Sequence, residues 1–125
     1  MLKEYKYVRQ IEGEAKRRWF TDEYFDLIVW FDYTNNTVLG FQLCYDIAHK
    51  HRALTWQKHS GYTHHRVDDG ENRPGKMKAT PILVADGLFE YHKIAEEFKK
   101  ASKHLEKSLS EFIYDKLVQY PKYSL

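Results

Sequence analysis

The chain has 125 residues, a length that fits one domain around one core. Apolar residues make up 42% and aromatic residues 16%, which excludes a disordered chain. A net charge of +2 argues against nucleic acid as a partner, and a single cysteine, Cys44, excludes an internal disulfide.

The charge is uneven. Residues 1–20 hold Lys3, Lys6, Arg9, Lys16, Arg17 and Arg18 against Glu4, Glu12 and Glu14, so the basic excess gathers around Lys16-Arg17-Arg18. No apolar run reaches the length of a membrane span, and the start lacks a signal-peptide core. The expectation is a cytoplasmic protein with no membrane partner.

Residues 1–13 form a lead-in of mixed periodicity. Ala15–Phe20 reads as a strand. Tyr24–Tyr33 reads as the strongest strand, dense in β-branched and aromatic residues. Thr34-Asn35-Asn36-Thr37 follows, and Asn tolerates the positive φ that a tight turn needs. Val38–Asp46 is the returning strand. With Asn35 and Asn36 as a two-residue loop, Trp30 faces Phe41, Ile28 faces Leu43 and Asp26 faces Tyr45, while Leu27 faces Cys44 on the other side. Both faces are then apolar, which predicts a central hairpin covered on both sides. Arg52–Lys58 is a fourth strand. Thr80–Ala85 is a fifth, with Pro81 at its start.

Asp86 can cap a following helix. From Leu88 the apolar positions Tyr91, Ile94, Phe98, Ala101, Leu105, Leu109, Phe112 and Ile113 make one stripe, and Pro121 limits its far end. An unbroken helix of about 31 residues would run roughly 46 Å. A compact chain of this length is about 35 Å across. A break near Ala101-Ser102-Lys103-His104 resolves the conflict; a projecting helix that forms a homodimer is the alternative. The expected organisation is one α+β domain over 1–125. A lead-in spans 1–13, an antiparallel sheet of about five strands spans 14–85 with a loop at 59–79, and a helical tail spans 86–120, packed on one face.

The densest titratable chemistry is Gly61–Glu71. His64, His65 and Asp68 are candidate metal ligands for a divalent ion, with Glu71 as a base, in a metal-dependent hydrolase-like reading. The spacing matches no established zinc or calcium motif, and no nucleotide or haem motif is present. The competing reading is a solvated turn in which Asp68 or Asp69 bonds local backbone. Five of the seven histidines, His49, His51, His59, His64 and His65, cluster in one span. Cys44 is expected as a core hydrophobe rather than a nucleophile. Arg17 and Arg18 beside Trp19 suit stacking on a ring-bearing ligand. Gln42 is expected as a covered amide in need of partners. Asp26, Tyr45 and Asp46 mark the open end of the central hairpin, where a pocket can form.

The pieces Arg17-Arg18-Trp19-Phe20, Phe41–Asp46, Val67–Glu71 and Pro81-Ile82-Leu83 resemble those of a small bacterial family of uncharacterised proteins. The resemblance implies a bacterial cytoplasmic origin and one compact domain. It brings no activity and no catalytic residue. The leading functional expectation is a non-catalytic module that binds a ligand or partner near residues 63–71. Its candidate contacts are His64, Asp68, Asp69, Glu71, Gln42, Tyr45, Asp46 and Arg17. A structural or assembly protein dimerising through the C-terminal helix is a further alternative.

Overall fold

The computed structural model describes residues 1–68, 82–85 and 90–123. Alternation in the strongest strand organises it: along Phe25–Phe31 every second residue is buried and those between are half-buried. Seven strands form one sheet: β1 (Lys3–Tyr5), β2 (Lys16–Thr21), β3 (Phe25–Phe31), β4 (Val38–Tyr45), β5 (Arg52–Gln57), β6 (Gly61–Asp68) and β7 (Ile82–Ala85). Their spatial order follows the chain, and every pairing is antiparallel. Helices α1 (Tyr91–Ala101) and α2 (Lys107–Tyr123) follow. The architecture is α+β, as expected.

The inner face of the sheet carries Phe20, Leu27, Val29, Phe31, Phe41, Leu43, Leu54 and Trp56, packed with Ile94, Phe98, Leu109, Ile113 and Leu117 of the helices. Phe98 meets Phe25 edge-on at 6.1 Å, and Phe112 meets Trp56 at 5.5 Å. These rings dominate the apolar area removed from water. On the outer face Asp26, Ile28, Trp30, Gln42 and Cys44 remain half-buried. The expectation of cover on both sides is therefore corrected: the helices protect one face only.

The hairpin register is corrected as well. Val29 pairs with Phe41, Leu27 with Leu43 and Asp26 with Cys44, one residue away from the expected set. The cause is the turn. The Asp32 N–H donates to the Thr37 carbonyl (2.9 Å), and the Asn36 N–H donates to the Asp32 carbonyl (2.8 Å), enclosing a four-residue loop. Asn36 alone takes the left-handed conformation there, at φ 57°. The ladder then shifts between Trp30 and Phe31, with Leu39 the extra residue of a bulge on β4. A one-residue shift exchanges the faces, so the larger apolar set points to the helices.

Two strands were not expected. The lead-in supplies β1, whose Tyr5 pairs with Trp19. The expected loop at 59–79 contains β6, entered through Gly61 at φ +81°. These two account for seven strands in place of about five. The helix breaks where the size argument places it. Buried Ser102 ends α1, donating its N–H to the Phe98 carbonyl (2.8 Å), and its hydroxyl lies 2.6 Å from that of Ser110 in α2. The helix start at Tyr91 has Glu90 in the N-cap position; the capping expected of Asp86 lies outside the described residues. Pro121 does not end α2, which runs to Tyr123. Among the described residues no helix is long and apolar enough to cross a membrane.

One ionic network ties the sheet edge to the helix corner. Arg18 donates to Glu4 in β1 (2.8 and 2.9 Å) and to Glu106 just before α2 (2.6 and 3.0 Å), while its guanidinium sits 5.0 Å over Phe20. Bonds to Glu4 and then Glu106 raise the Arg18 pKa, and the bond from Arg18 holds the Glu106 carboxyl below its usual range.

Close approach of β4 and β5 makes Gly40 sensitive. A Cβ there would stand 2.7 Å from the Trp56 carbonyl oxygen. Gly40→Ala is expected to lower stability by about 1–3 kcal/mol in urea denaturation; an unchanged midpoint would contradict this strand contact.

Candidate functional site

Strand β6 decides how the titratable residues are arranged. Neighbours on a strand point to opposite faces. His64 pairs with Leu54 on the inner face and is buried, at 7% exposure. His65 pairs with Ala53 on the outer face and is half-buried. The two imidazoles therefore cannot ligate one ion from this strand. Asp68 ends β6, and Asp69 and Glu71 lie outside the described residues. The described residues hold no group of three or more metal-ligating side chains.

His64 is brought to Tyr45 instead. The Tyr45 hydroxyl and His64 Nε2 are 2.6 Å apart, and the rings stack at 6.0 Å with planes 7° apart. With Nε2 unprotonated, the phenol donates to it. Tyr45 ends β4 on the inner face, and its side chain closes one end of the core. Two strands thus place two polar groups where an apolar pair would otherwise sit, and the Tyr45 hydroxyl and His64 Nε2 pair with each other.

Tyr45 also lines a cleft of about 420 Å³. Its walls come from three places: Tyr24 before β3, the turn from Asp46 to Arg52, and Glu90 to Ile94 at the start of α1. The turn is held by Asp46 itself, in the left-handed conformation at φ 52°. Its carbonyl accepts from the His49 N–H (3.0 Å), and its carboxylate meets His49 Nδ1 at 3.3 Å and the Lys50 N–H at 3.4 Å. Asp is among the few residues that tolerate this geometry.

Among the described residues the cleft has mixed charge with a cationic excess. Lys50, Arg52 and Lys93 line it against Asp46 and Glu90. Glu90, at the N-cap of α1, makes no side-chain capping bond, and the first turn of the helix holds no acidic residue. Burial, then the charges of Asp46, Glu97 and Glu90, push the Tyr24 phenol up from its ordinary value. Tyr24 therefore stays protonated at neutral pH and presents a donor.

The other expected site residues lie elsewhere. Gln42 is on the outer face and donates to the Thr55 hydroxyl (3.2 Å), a satisfied structural amide. Arg17 is also on the outer face, paired with Trp30. His59 is exposed in the turn between β5 and β6, and His51 precedes β5. Cys44 faces Asp26 rather than Leu27 and is half-buried. Burial, and to a lesser extent the Asp26 charge, pushes its thiol up to about 12. Lys50, Arg52, Lys93 and Tyr24 went unnoticed in the sequence. Only the proximity of the hairpin's open end to a helix start could have suggested them.

No protein-family model matches the chain, and neither does any curated protein or solved structure.

Two outcomes test this geometry. Tyr45→Phe leaves the buried His64 nitrogen without its donor, and a loss of about 1–3 kcal/mol is expected on urea denaturation. A loss below ~0.5 kcal/mol would contradict the pairing. For Cys44, the unfolded thiol titrates near ~8.5, below the folded value of about 12. Its contribution to stability is full below the unfolded value and is lost as pH rises toward the folded one. Native protein at pH ~8 should resist iodoacetamide, by mass spectrometry, while urea-unfolded protein is alkylated.

Proposed function

We propose that this protein is a binding module for a small anion, a carboxylate or phosphate, seated in the cleft lined by Tyr45 and Asp46. The observation that carries the reading is convergence: Lys50, Arg52 and Lys93 meet the uncapped start of α1 around one concave space. Each element supplies a different kind of donor. The lysines and arginine supply charge, Tyr24 a neutral hydroxyl, and the helix terminus oriented backbone N–H groups.

Binding rather than turnover is the reading because the reactive groups are already committed. Tyr45, in the cleft wall, is bonded to the buried His64. Asp46 is held by His49 and the Lys50 backbone. The thiol of Cys44 stands on the other face of the sheet and is held protonated. Of the residues expected to form a site, Tyr45 and Asp46 line this cleft, while its described lining includes none of residues 63–68.

The test is an NMR titration of the ¹⁵N-labelled chain with inorganic phosphate and with succinate. Shifts are expected at the amides of Asp46, Lys50, Tyr91 and Lys93 for at least one of them. Lys93→Glu, an exposed change on the helix surface, should weaken binding about tenfold, or roughly 1.4 kcal/mol. No saturation by either anion at ~10 mM, or affinity unchanged by Lys93→Glu, would overturn the proposal.

A further inference from the structure

The lead-in does more than supply an edge strand. After β1 it runs alongside β2 and is pinned there by Gln10. That side chain donates to the Arg17 carbonyl (2.8 Å) and accepts from the Arg17 N–H (2.8 Å), as a paired strand would. Tyr33, beyond the β3 end, donates to the same amide oxygen at 3.4 Å. Arg17 Nη2 bonds the Arg9 carbonyl, fixing the guanidinium beneath the lead-in.

Between the lead-in and the sheet lies a pocket of about 260 Å³ lined by Tyr5, Tyr7, Arg9, Arg17, Trp19 and Ile28. Its wall is aromatic. The rings of Tyr5 and Trp19 lie 4.9 Å apart, and Tyr7 stands edge-on to Tyr5 at 6.2 Å. Trp19 is held in orientation by its indole N–H, which donates to the Asp26 carboxylate. Tyr7 is 83% exposed, an unusual position for a large ring with no core to join. The pocket's charged groups are both guanidinium. Arg17 Nε is buried and, among the described residues, has no hydrogen-bond partner. A buried donor of this kind costs stability unless an acceptor is supplied.

Those two features point to one ligand chemistry. A π-rich wall favours a flat ring, by stacking and by exclusion of water. A guanidinium with an unmet donor favours an anionic oxygen. The volume is below that of a typical drug-sized site, which limits the occupant to about one ring system. We infer that this outer-face pocket binds a planar aromatic ring carrying a carboxylate or a phosphate. The ring lies against Tyr7 and Trp19, and the anion accepts from Arg17 Nε–H with Arg9 at the rim. The site is on the opposite face of the sheet from the cleft lined by Tyr45 and stands independently of it.

The experiment follows the Trp19 indole N–H and the Arg17 Nε–H by NMR during titration. The probes are indole-3-carboxylate and adenosine monophosphate, with indole, adenosine and inorganic phosphate as controls. At least one anionic ring is expected to shift both signals and saturate at about 1 mM or below, roughly tenfold tighter than its uncharged counterpart and than phosphate alone. The tighter of the two assigns the anion as carboxylate or phosphate. Arg17→Gln should bring the charged and uncharged rings within about twofold of each other. The Gln10 clamp uses only the Arg17 backbone, so this change removes the Arg17 Nη2 bond to the Arg9 carbonyl but keeps the clamp. Tyr7→Ala, at an exposed position, should weaken charged and uncharged rings alike by about threefold or more. No saturation by either anionic ring at ~10 mM would overturn the inference. So would equal affinity for charged and uncharged rings, or binding unmoved by both variants.

Discussion

The pairing of Val29 with Phe41 and of Leu27 with Leu43 is the constraint on which the other features rest. Strands β3 and β4 lie inside the sheet, and both carry apolar residues on each face. Two registers one residue apart would each bury a respectable set of side chains. What separates them is the choice of face. The observed register presents Leu27, Val29 and Phe31 with Phe41, Leu43 and Tyr45 to the helices. The alternative would mix large and small residues on both faces. A four-residue turn with Asn36 left-handed, followed by the extra residue Leu39, is the local device that selects the first.

Two sites on opposite faces follow from that choice. On the inner face Tyr45 arrives beside His64 and also lines the cleft with Lys50, Arg52 and Lys93. On the outer face Asp26 arrives where it can hold the Trp19 indole, and Ile28 becomes a wall of the aromatic pocket. The helices cover only the inner face, because both belong to one stripe folded at Ser102. The outer face has the lead-in as its partial cover, clamped through Gln10. A half-covered aromatic surface beside guanidinium groups is a different chemical environment from the cleft, and the two proposals draw on different donors.

Much of the scaffold was legible in the sequence, and the reasons are physical. Tyr24–Tyr33 and Val38–Asp46 announced strands through β-branched and aromatic density. The break near Ser102 followed from helix rise against domain diameter. The losses are equally specific. Strand β6 was hidden because its inner positions, Tyr62, His64 and Arg66, are polar or amphipathic, so alternation carried no hydrophobic contrast. Strand β1 is three residues long, too short for a period to register. The register was missed because Asn35-Asn36 reads as a two-residue loop, whereas the backbone bonds of Asp32 enclose four residues. His64 and Tyr45 were each legible as candidates, one from a cluster of titratable residues and one from the hairpin's open end. Their meeting was not, since it depends on β5 lying between them. Lys93 reaches the cleft from a helix far along the chain, a juxtaposition that no local pattern encodes.

The most direct test of this account is the cross-strand proton contacts of β3 and β4, measured by NOESY on the ¹³C,¹⁵N-labelled chain. Backbone contacts linking Asp26 with Cys44, Leu27 with Leu43 and Ile28 with Gln42 are the predicted result. Contacts linking Leu27 with Cys44 and Ile28 with Leu43 would contradict it, and both sites would lose the geometry from which they are argued.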